Sequence, residues 1–221
     1  MASRLAPLLS MAWIALAAGG CASSTARFYT LDSTATAVDA PPAHYTVLVG
    51  PVSVPPSVDR PQFVVQVAPN RVDVNEFNRW VAPLNDAIAR AVAGDLAVLL
   101  GTPDVAMAPL ANFNPAYRVT IDVQRFESIQ GEAAIVDAAW AVRTTAGDTQ
   151  SGRTVAREAV QGNDFGALAA AHSRALAKVS SDIAAVIRTA ADTDSRSPPV
   201  PSSKPETRNK SKTARSKGQS K

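Results

Sequence analysis

The sequence predicts an α+β fold: a single domain in which a mostly antiparallel sheet of about six strands carries two amphipathic helices on one face. Three observations lead to this prediction. Several stretches place apolar side chains at every second position, the period of a β-strand, and two others place them at steps of three and four, the period of an α-helix. The chain's one cysteine, Cys21, cannot form an intramolecular disulfide, so stability must come from a hydrophobic core.

The first half of the domain is rich in strand signals. Residues 44–54 are rich in β-branched side chains, alternate in polarity and end at Pro55-Pro56. Residues 63–67 and 71–74 flank the turn Ala68-Pro69-Asn70 and are typical of a β-hairpin. A short strand is also predicted upstream, at residues 28–31.

Helical spacing follows the hairpin. The apolar positions of this first predicted helix are Phe77, Trp80, Val81, Leu84, Ile88, Val92, Leu96 and Leu99. Pro83 lies inside the series, where it either begins the regular helix or kinks a longer one. Gly101 ends the helix.

A second group of strands occupies the middle of the chain. Residues 104–107 form a short strand, and residues 117–124 alternate between apolar and polar side chains. The stretch 134–142 has a second apolar face, the turn 146–148 follows, and residues 153–160 return as its partner strand.

The last predicted element is an amphipathic helix of about 25 residues. Asp164 is a favourable N-cap. Its apolar stripe consists of Phe165, Leu168, His172, Leu176, Val179, Ile183 and Val186.

Four segments make up the predicted organisation of the 221 residues: a signal peptide at 1–20, a tether at 21–43, the folded domain at 44–191 and a disordered basic tail at 192–221. The tail contains eight Lys or Arg against three Asp or Glu, a local charge of +5. Since the whole chain has a formal net charge of +3, residues 1–191 together carry −2. The body therefore does not have the charge of a nucleic-acid-binding domain.

The N-terminus has the features of an export signal. Arg4 and the terminal amine precede the apolar run Leu8 to Ala18, which is shorter than the roughly 20 residues that a membrane-spanning helix needs. The end of this run, Ala18-Gly19-Gly20-Cys21, resembles the lipobox of bacterial lipoproteins, although Ala18 stands where Leu is usual. We therefore expect cleavage between Gly20 and Cys21 and lipidation of the Cys21 thiol.

Two further expectations follow from the lipobox resemblance. Three acyl chains would make a stable anchor, since each buried methylene contributes about 0.8 kcal/mol. By resemblance to enterobacterial sorting, Ala22 after the cysteine favours the outer membrane over the inner one. The alternative is an ordinary exported protein with an incidental cysteine.

Catalytic chemistry is not expected. The two histidines, His44 and His172, are far apart in the sequence, and with a lipidated Cys21 they make no metal site. Neither a nucleophile elbow nor a phosphate-binding loop is present. The sequence therefore predicts no enzyme, no cofactor and no metal. Trp80 is expected in the core, and Arg79 is expected to cap, to pair with a nearby carboxylate or to contact a partner.

Four motifs in order are similar to those of the PqiC-like family, the auxiliary lipoproteins of ABC-type transport systems. They are FYTL at 28–31, VLVGPVSVP at 47–55, VDRPQFVV at 58–65 and NRWVAPL at 78–84. The resemblance covers residues 27–190, and the combination of DRPQ with RWVAPL is fairly specific.

The resemblance implies a non-enzymatic, outer-membrane lipoprotein that faces the periplasm. Its partners would be an MCE-domain protein and, through it, the permease and ATPase of a lipid transport system. The membrane is contacted through the lipid anchor, and self-association is left open. We expect the partner surface around Arg60, Pro61, Arg79 and Trp80.

Two other functions fit the same sequence. A periplasmic lipid-binding carrier requires an apolar cavity of roughly several hundred Å³ between helices and sheet. A structural envelope lipoprotein would grip the cell wall through its basic tail. That tail is otherwise a solubilising segment, or it contacts anionic headgroups and polymers by charge.

Overall fold

The computed structural model describes residues 25–37 and 45–196 and confirms the α+β class. In these ranges it contains eight strands and two helices, of which the helices are α1 (Leu84–Leu100) and α2 (Phe165–Arg196). The strands are β1 (Arg27–Tyr29), β2 (Val47–Ser53), β3 (Gln62–Ala68), β4 (Arg71–Trp80), β5 (Val105–Met107), β6 (Tyr117–Ile129), β7 (Ala133–Thr144) and β8 (Thr149–Ala159).

All eight strands belong to one curled sheet that is built around β6. One edge of β6 pairs along its length with β7, which in turn pairs with β8, and both pairings are antiparallel. The other edge of β6 is shared, because β2 pairs with its first half and β3 with its last two residues. These two contacts and the β1–β4 and β2–β5 pairs are parallel, so the sheet is more mixed than predicted.

The alternation predicted for β6 is present, with one interruption. Tyr117, Val119, Ile121 and Val123 face the core. The pairing with β7 then shifts after Val123, and the buried positions move from odd to even residues, beginning with Phe126. A bulge of this kind adds one residue and bends the strand, which lets a 13-residue strand follow the curled sheet.

Of the two roles predicted for Pro83, that of beginning the regular helix is confirmed, so the apolar spacing that starts at Phe77 is helical only after this proline. Residues up to Trp80 belong to β4, and α1 begins only at Leu84, with Pro83 as its N-cap. The side chain of Asn75 accepts hydrogen bonds from the amides of Phe77 and Asn78, at 3.1 and 2.9 Å, and closes a turn inside the strand. This turn breaks the strand alternation, so the apolar spacing imitates that of a helix.

The ends of the helices follow the predicted chemistry. Gly101 ends α1 in the left-handed conformation, with φ of 64°, which glycine adopts without steric cost. The Asp164 carboxylate accepts the amide of Ala167 at 2.7 Å and caps α2. At 32 residues α2 is longer than predicted and ends at Arg196, past residue 191, while residues 197–221 lie outside the described part.

Both helices pack on the same face of the sheet, as predicted. The layer between them contains side chains with no solvent exposure, including Val49, Ile88, Val92 and Ile183. Aromatic rings extend this core toward the start of α2: Phe63 stacks on Trp80 with centroids 4.1 Å apart, and Tyr29 lies 6.2 Å from Phe165.

The segment after β1, predicted as part of a tether, is bound to the two helices through Asp95 of α1. The Asp95 side chain is fully buried. One of its carboxylate oxygens accepts hydrogen bonds from Ser33 Oγ at 2.8 Å and from the amides of Thr34 and Ala35 at 2.9 and 3.0 Å. The other accepts from Ser180 Oγ of α2 at 3.0 Å. One carboxylate therefore joins three parts of the chain.

Neighbouring residues support this clamp. Ser173 Oγ accepts the amide of Asp32 at 3.1 Å, and Leu31 is buried beside it in the core. Gly94 lets the segment approach α1, since a Cβ at this position would lie only 2.9 Å from the Ser33 Cβ. Residues 27–35 are therefore part of the folded domain.

Replacing Asp95 by Ala should reduce the free energy of unfolding by about 3 kcal/mol, because buried donors would lose a charged acceptor. Urea unfolding measures this loss. Limited proteolysis should at the same time become faster near residues 30–35.

Asp86→Ala is the matched control, since Asp86 lies exposed in the first turn of the same helix. It should cost less than about 1 kcal/mol, the usual size of a helix-dipole contribution. Equal losses in the two variants would contradict the role assigned to Asp95.

Candidate functional site

The fold brings the two halves of the predicted partner surface together. The amide of Trp80 donates a hydrogen bond to the carbonyl of Pro61 at 2.7 Å, and Gln62 pairs with Arg79 across β3 and β4. Arg60 stands exposed at the start of this pairing. The two most specific motifs of the family resemblance, DRPQ and RWVAPL, are thus adjacent in space.

Trp80 itself does not belong to a surface. Its side chain is only 5% exposed and lies between Phe63 and Phe126, with ring centroids at 4.1 and 6.0 Å. The expectation of a core tryptophan agrees with this position. The predicted partner surface therefore reduces to Arg60, Pro61 and Arg79.

Arg79 is held along its own strand. Its Nε donates to the backbone carbonyl of Glu76 at 2.7 Å, and its terminal nitrogen lies 3.4 Å from the Glu76 carboxylate. Both side chains are exposed to solvent, where such a pair contributes little to stability. Arg79 can therefore exchange Glu76 for a carboxylate of a partner protein.

A groove opens beside this surface, on the sheet face that points away from the helices. We call it the hairpin groove, because the β3–β4 hairpin forms one wall, and the loop 55–60 and residues 124–128 of β6 form the others. Its volume is about 470 Å³. Val64, Val72 and Val74 supply an apolar floor, and Arg60 and Arg71 stand at its rim.

The charges around the groove are unevenly satisfied. Arg125 donates two hydrogen bonds to Glu127, at 2.9 and 2.7 Å, and these bonds raise the pKa of Arg125. Arg60 and Arg71, by contrast, have no ion pair with any described residue. The groove thus offers two free guanidinium groups beside an apolar floor, which suits an amphipathic, acidic partner segment.

A second, shallower groove of about 720 Å³ crosses the same face over β2, β6, β7 and β8. Small side chains such as Ala139, Ala141 and Ser151 leave it open. At its border Arg153 donates to both oxygens of Asp137, at 2.8 and 2.7 Å. These hydrogen bonds hold the pKa of the Asp137 carboxyl below its ordinary value, so the pair stays charged at neutral pH.

The space that a lipid carrier would need is filled. Between the helices and the sheet, the side chains of Val47, Leu96, Val179 and Ile183 have no solvent exposure and belong to one packed cluster. Both grooves lie on the opposite face and open to solvent. In the described residues this layer is therefore a packed core, where the carrier hypothesis requires a cavity.

His172 is a core residue. It is fully buried, its ring stacks on Phe126 with centroids 3.8 Å apart, and Nε2 lies 2.8 Å from the hydroxyl of Ser128. Burial lowers the pKa of His172 to about 3, so the imidazole is neutral at physiological pH. This side chain is out of reach of any substrate.

The described residues contain neither a cluster of metal ligands nor a helix that could span a membrane. In residues 25–37 and 45–196, no three His, Cys, Asp or Glu side chains are grouped so that they could hold a metal ion. Across the same ranges, no helix is both long and apolar enough to cross a membrane.

A family comparison adds the functional class. The profile of the family described as ABC-type transport auxiliary lipoprotein component matches residues 29–184, which is most of the folded domain. The chain belongs to this family. The match confirms the resemblance to the PqiC-like lipoproteins, and it begins at the end of β1, before the segment that Asp95 clamps.

Solved structures confirm the fold of this family member. A crystal structure of a protein from Xanthomonas campestris is similar at 22% identity, with a TM-score of 0.62, over 77% of this chain and 100% of that one. A crystal structure of an uncharacterized protein is similar at 19% identity, with a TM-score of 0.61, over 74% and 99% of the two chains. A comparison with curated proteins finds no match.

Membership of an auxiliary lipoprotein family indicates a non-catalytic role. It also indicates association with an ABC transport system and a place in the cell envelope. Cys21 and Gly20, on which the anchor prediction depends, lie outside the described residues.

Part of the site was not predicted from the sequence. Residues 71–74 were expected in a hairpin, but Arg71, Val72 and Val74 were not expected to form a binding surface. Their strand alternates in a way that exposes both valines, at 58% and 39%. The signal available in the sequence was the pattern Arg71-Val72-Asp73-Val74, in which two valines at every second position follow an arginine.

The buried imidazole makes folding dependent on pH. In the unfolded chain the pKa of His172 is about 6.5, whereas in the folded state it is about 3. Stability should therefore fall by about 1.4 kcal/mol per pH unit as the pH drops below 6.5. His172→Gln should remove this slope, which urea unfolding between about pH 6 and pH 5 measures.

Ser128→Ala serves as the control, because it removes the hydrogen bond and keeps the imidazole. It should lower stability while keeping the slope. Hydrogen bonds from Arg153 and Lys178 lower the pKa values of Asp137 and Glu158. These two carboxylates therefore affect the pH dependence of stability only at more acidic pH. A slope that persists unchanged in His172→Gln would contradict the assignment.

Proposed function

We propose that this lipoprotein is an outer-membrane, periplasm-facing docking subunit of a lipid transport system that contains an MCE-domain protein. The family match over residues 29–184 is the observation that carries the proposal. The protein would hold the periplasmic component of the transporter at the membrane, and the permease and ATPase would be contacted only through that component.

The anchor of this subunit is Cys21, lipidated after cleavage behind Gly20. The spacing supports this role, since β1 begins at Arg27, six residues after Cys21. The domain would thus be held close to the membrane, as suits a docking subunit.

The docking surface is the hairpin groove together with Arg60 and Pro61, and Arg79, which is paired with Glu76, lies at its border. Its two unpaired cations and its floor of valines fit an acidic, amphipathic segment of the MCE-type partner. Charge attraction of this kind speeds the association of the two proteins and aligns the partner segment in the groove. The apolar floor adds contact area.

The two other functions receive less support. The packed layer between helices and sheet leaves no place for a carried lipid. The wall-binding hypothesis rests on residues 197–221, which lie outside the described part of the chain. It remains a hypothesis that deletion of the tail would test, through the salt sensitivity of envelope association.

Replacing Cys21 by Ser should leave the precursor uncleaved or release the protein into the soluble fraction, because no thiol remains for the acyl chains. Fractionation of the envelope and the intact mass of the protein measure both effects. Ser24→Ala is the control and should be processed as the wild type is. A Cys21→Ser protein that stays in the outer membrane would refute the anchor.

Replacing Arg60 by Glu should weaken co-purification with the MCE-type protein from detergent-solubilised membranes about tenfold, since one charge contact contributes roughly 1–2 kcal/mol. Arg90→Glu is the matched control, because Arg90 is exposed on α1, away from the sheet face. Binding that is unchanged by Arg60→Glu, or equally weakened by both variants, would argue against this surface.

A further inference from the structure

Three large apolar side chains are exposed together at one edge of the sheet. They are Phe28 of β1, Phe77 of β4 and Val81, with exposed fractions of 61%, 49% and 60%. We call them the edge patch. The exposed valines Val72 and Val74 line the hairpin groove, but these three residues lie outside it. A cluster of this kind on a folded protein marks a contact surface.

The strand register explains why the three side chains lie side by side. Phe28 pairs with Arg79, and Phe77 and Val81 lie two residues before and after Arg79, so all of them point to the same face. The amide of Val81 donates to the carbonyl of Tyr29 at 3.0 Å, which extends the pairing past the end of the strand.

The patch is bordered by cations. Arg27, next to Phe28, has no ion pair with any described residue and lines a shallow groove with Phe77. Arg79 lies opposite Phe28 and shares its charge with Glu76 at 3.4 Å. The edge patch therefore combines apolar side chains with a net positive rim.

The chain path ties this patch to the anchor position. Cys21 precedes Phe28 by seven residues, and seven residues span at most about 25 Å even when fully extended. The Asp95 clamp fixes residues 33–35, so the linker cannot lengthen by peeling that segment away from the helices. Whatever holds Cys21 is consequently within reach of the edge patch.

We propose that the edge patch lies against the surface of the lipid bilayer, with Phe28, Phe77 and Val81 in the headgroup region and Arg27 beside anionic headgroups. This inference rests on the lipid anchor of the proposed function. Aromatic and branched side chains next to arginine are the usual composition of protein surfaces that rest in a membrane interface. The contact fixes the orientation of the domain, which the acyl chains alone would leave free.

Site-specific fluorescence on the full-length, lipidated protein tests the inference. An environment-sensitive dye is attached at Val81→Cys or, as control, at Val155→Cys, because both valines are 60% exposed and Val155 lies on β8. The proteins are reconstituted into vesicles of phosphatidylethanolamine and phosphatidylglycerol that contain a spin-labelled lipid. The lipidated Cys21 has no free thiol, and the wild type reports any background labelling.

The dye at position 81 should shift its emission to the blue and be quenched by the spin-labelled lipid. The dye at position 155 should keep the emission spectrum that it has in water. Phe28→Ser with Phe77→Ser should abolish the shift without changing the unfolding midpoint. Equal, water-like spectra at the two positions overturn the inference. So does a dye at position 81 that is shielded only in native membranes, which would indicate a protein partner.

Intact mass separates this test from that of the anchor. A lipidated protein with water-like dyes refutes the edge patch and leaves the anchor standing. An unlipidated protein that stays off the vesicles refutes both.

Discussion

The buried carboxylate of Asp95 is the interaction on which the rest of the arrangement depends. It accepts hydrogen bonds from the N-terminal segment and from α2 while belonging to α1, so it fixes three elements that the sheet does not join directly. Because the segment is held in this way, β1 can add to the sheet edge and the domain begins close to Cys21. The hairpin groove and the edge patch thereby acquire a defined position relative to the N-terminal segment.

The sheet divides the molecule into two faces with different chemistry. The helix-covered face is closed by side chains without solvent exposure. Burial on this face also lowers the pKa of His172, so that its imidazole is neutral. The open face carries paired charges such as Asp137 with Arg153, unpaired ones such as Arg60, and two grooves. Stability therefore resides on one face, and the surface available to partners on the other.

Sequence patterns predicted the elements whose periodicity is undisturbed and missed those determined by side-chain hydrogen bonds. The stripe of α2 and the alternation of β6 follow directly from burial on one face. The end of β4 was mistaken for helix because the Asn75 side chain bends the strand. Residues 33–35 were taken for a tether because small polar residues have no hydrophobic pattern. Their partner, Asp95, is distant in sequence, and nothing local identifies it.

The length of α2 separates the two ends of the protein. A helix of 32 residues extends about 48 Å. Its first turn packs near Tyr29, beside the strand that leads back to Cys21, whereas Arg188 near its other end donates to the carbonyl of Leu99 at the close of α1. The helix thus acts as a spacer between β1 at one end of the domain and the C-terminal end of α1 at the other.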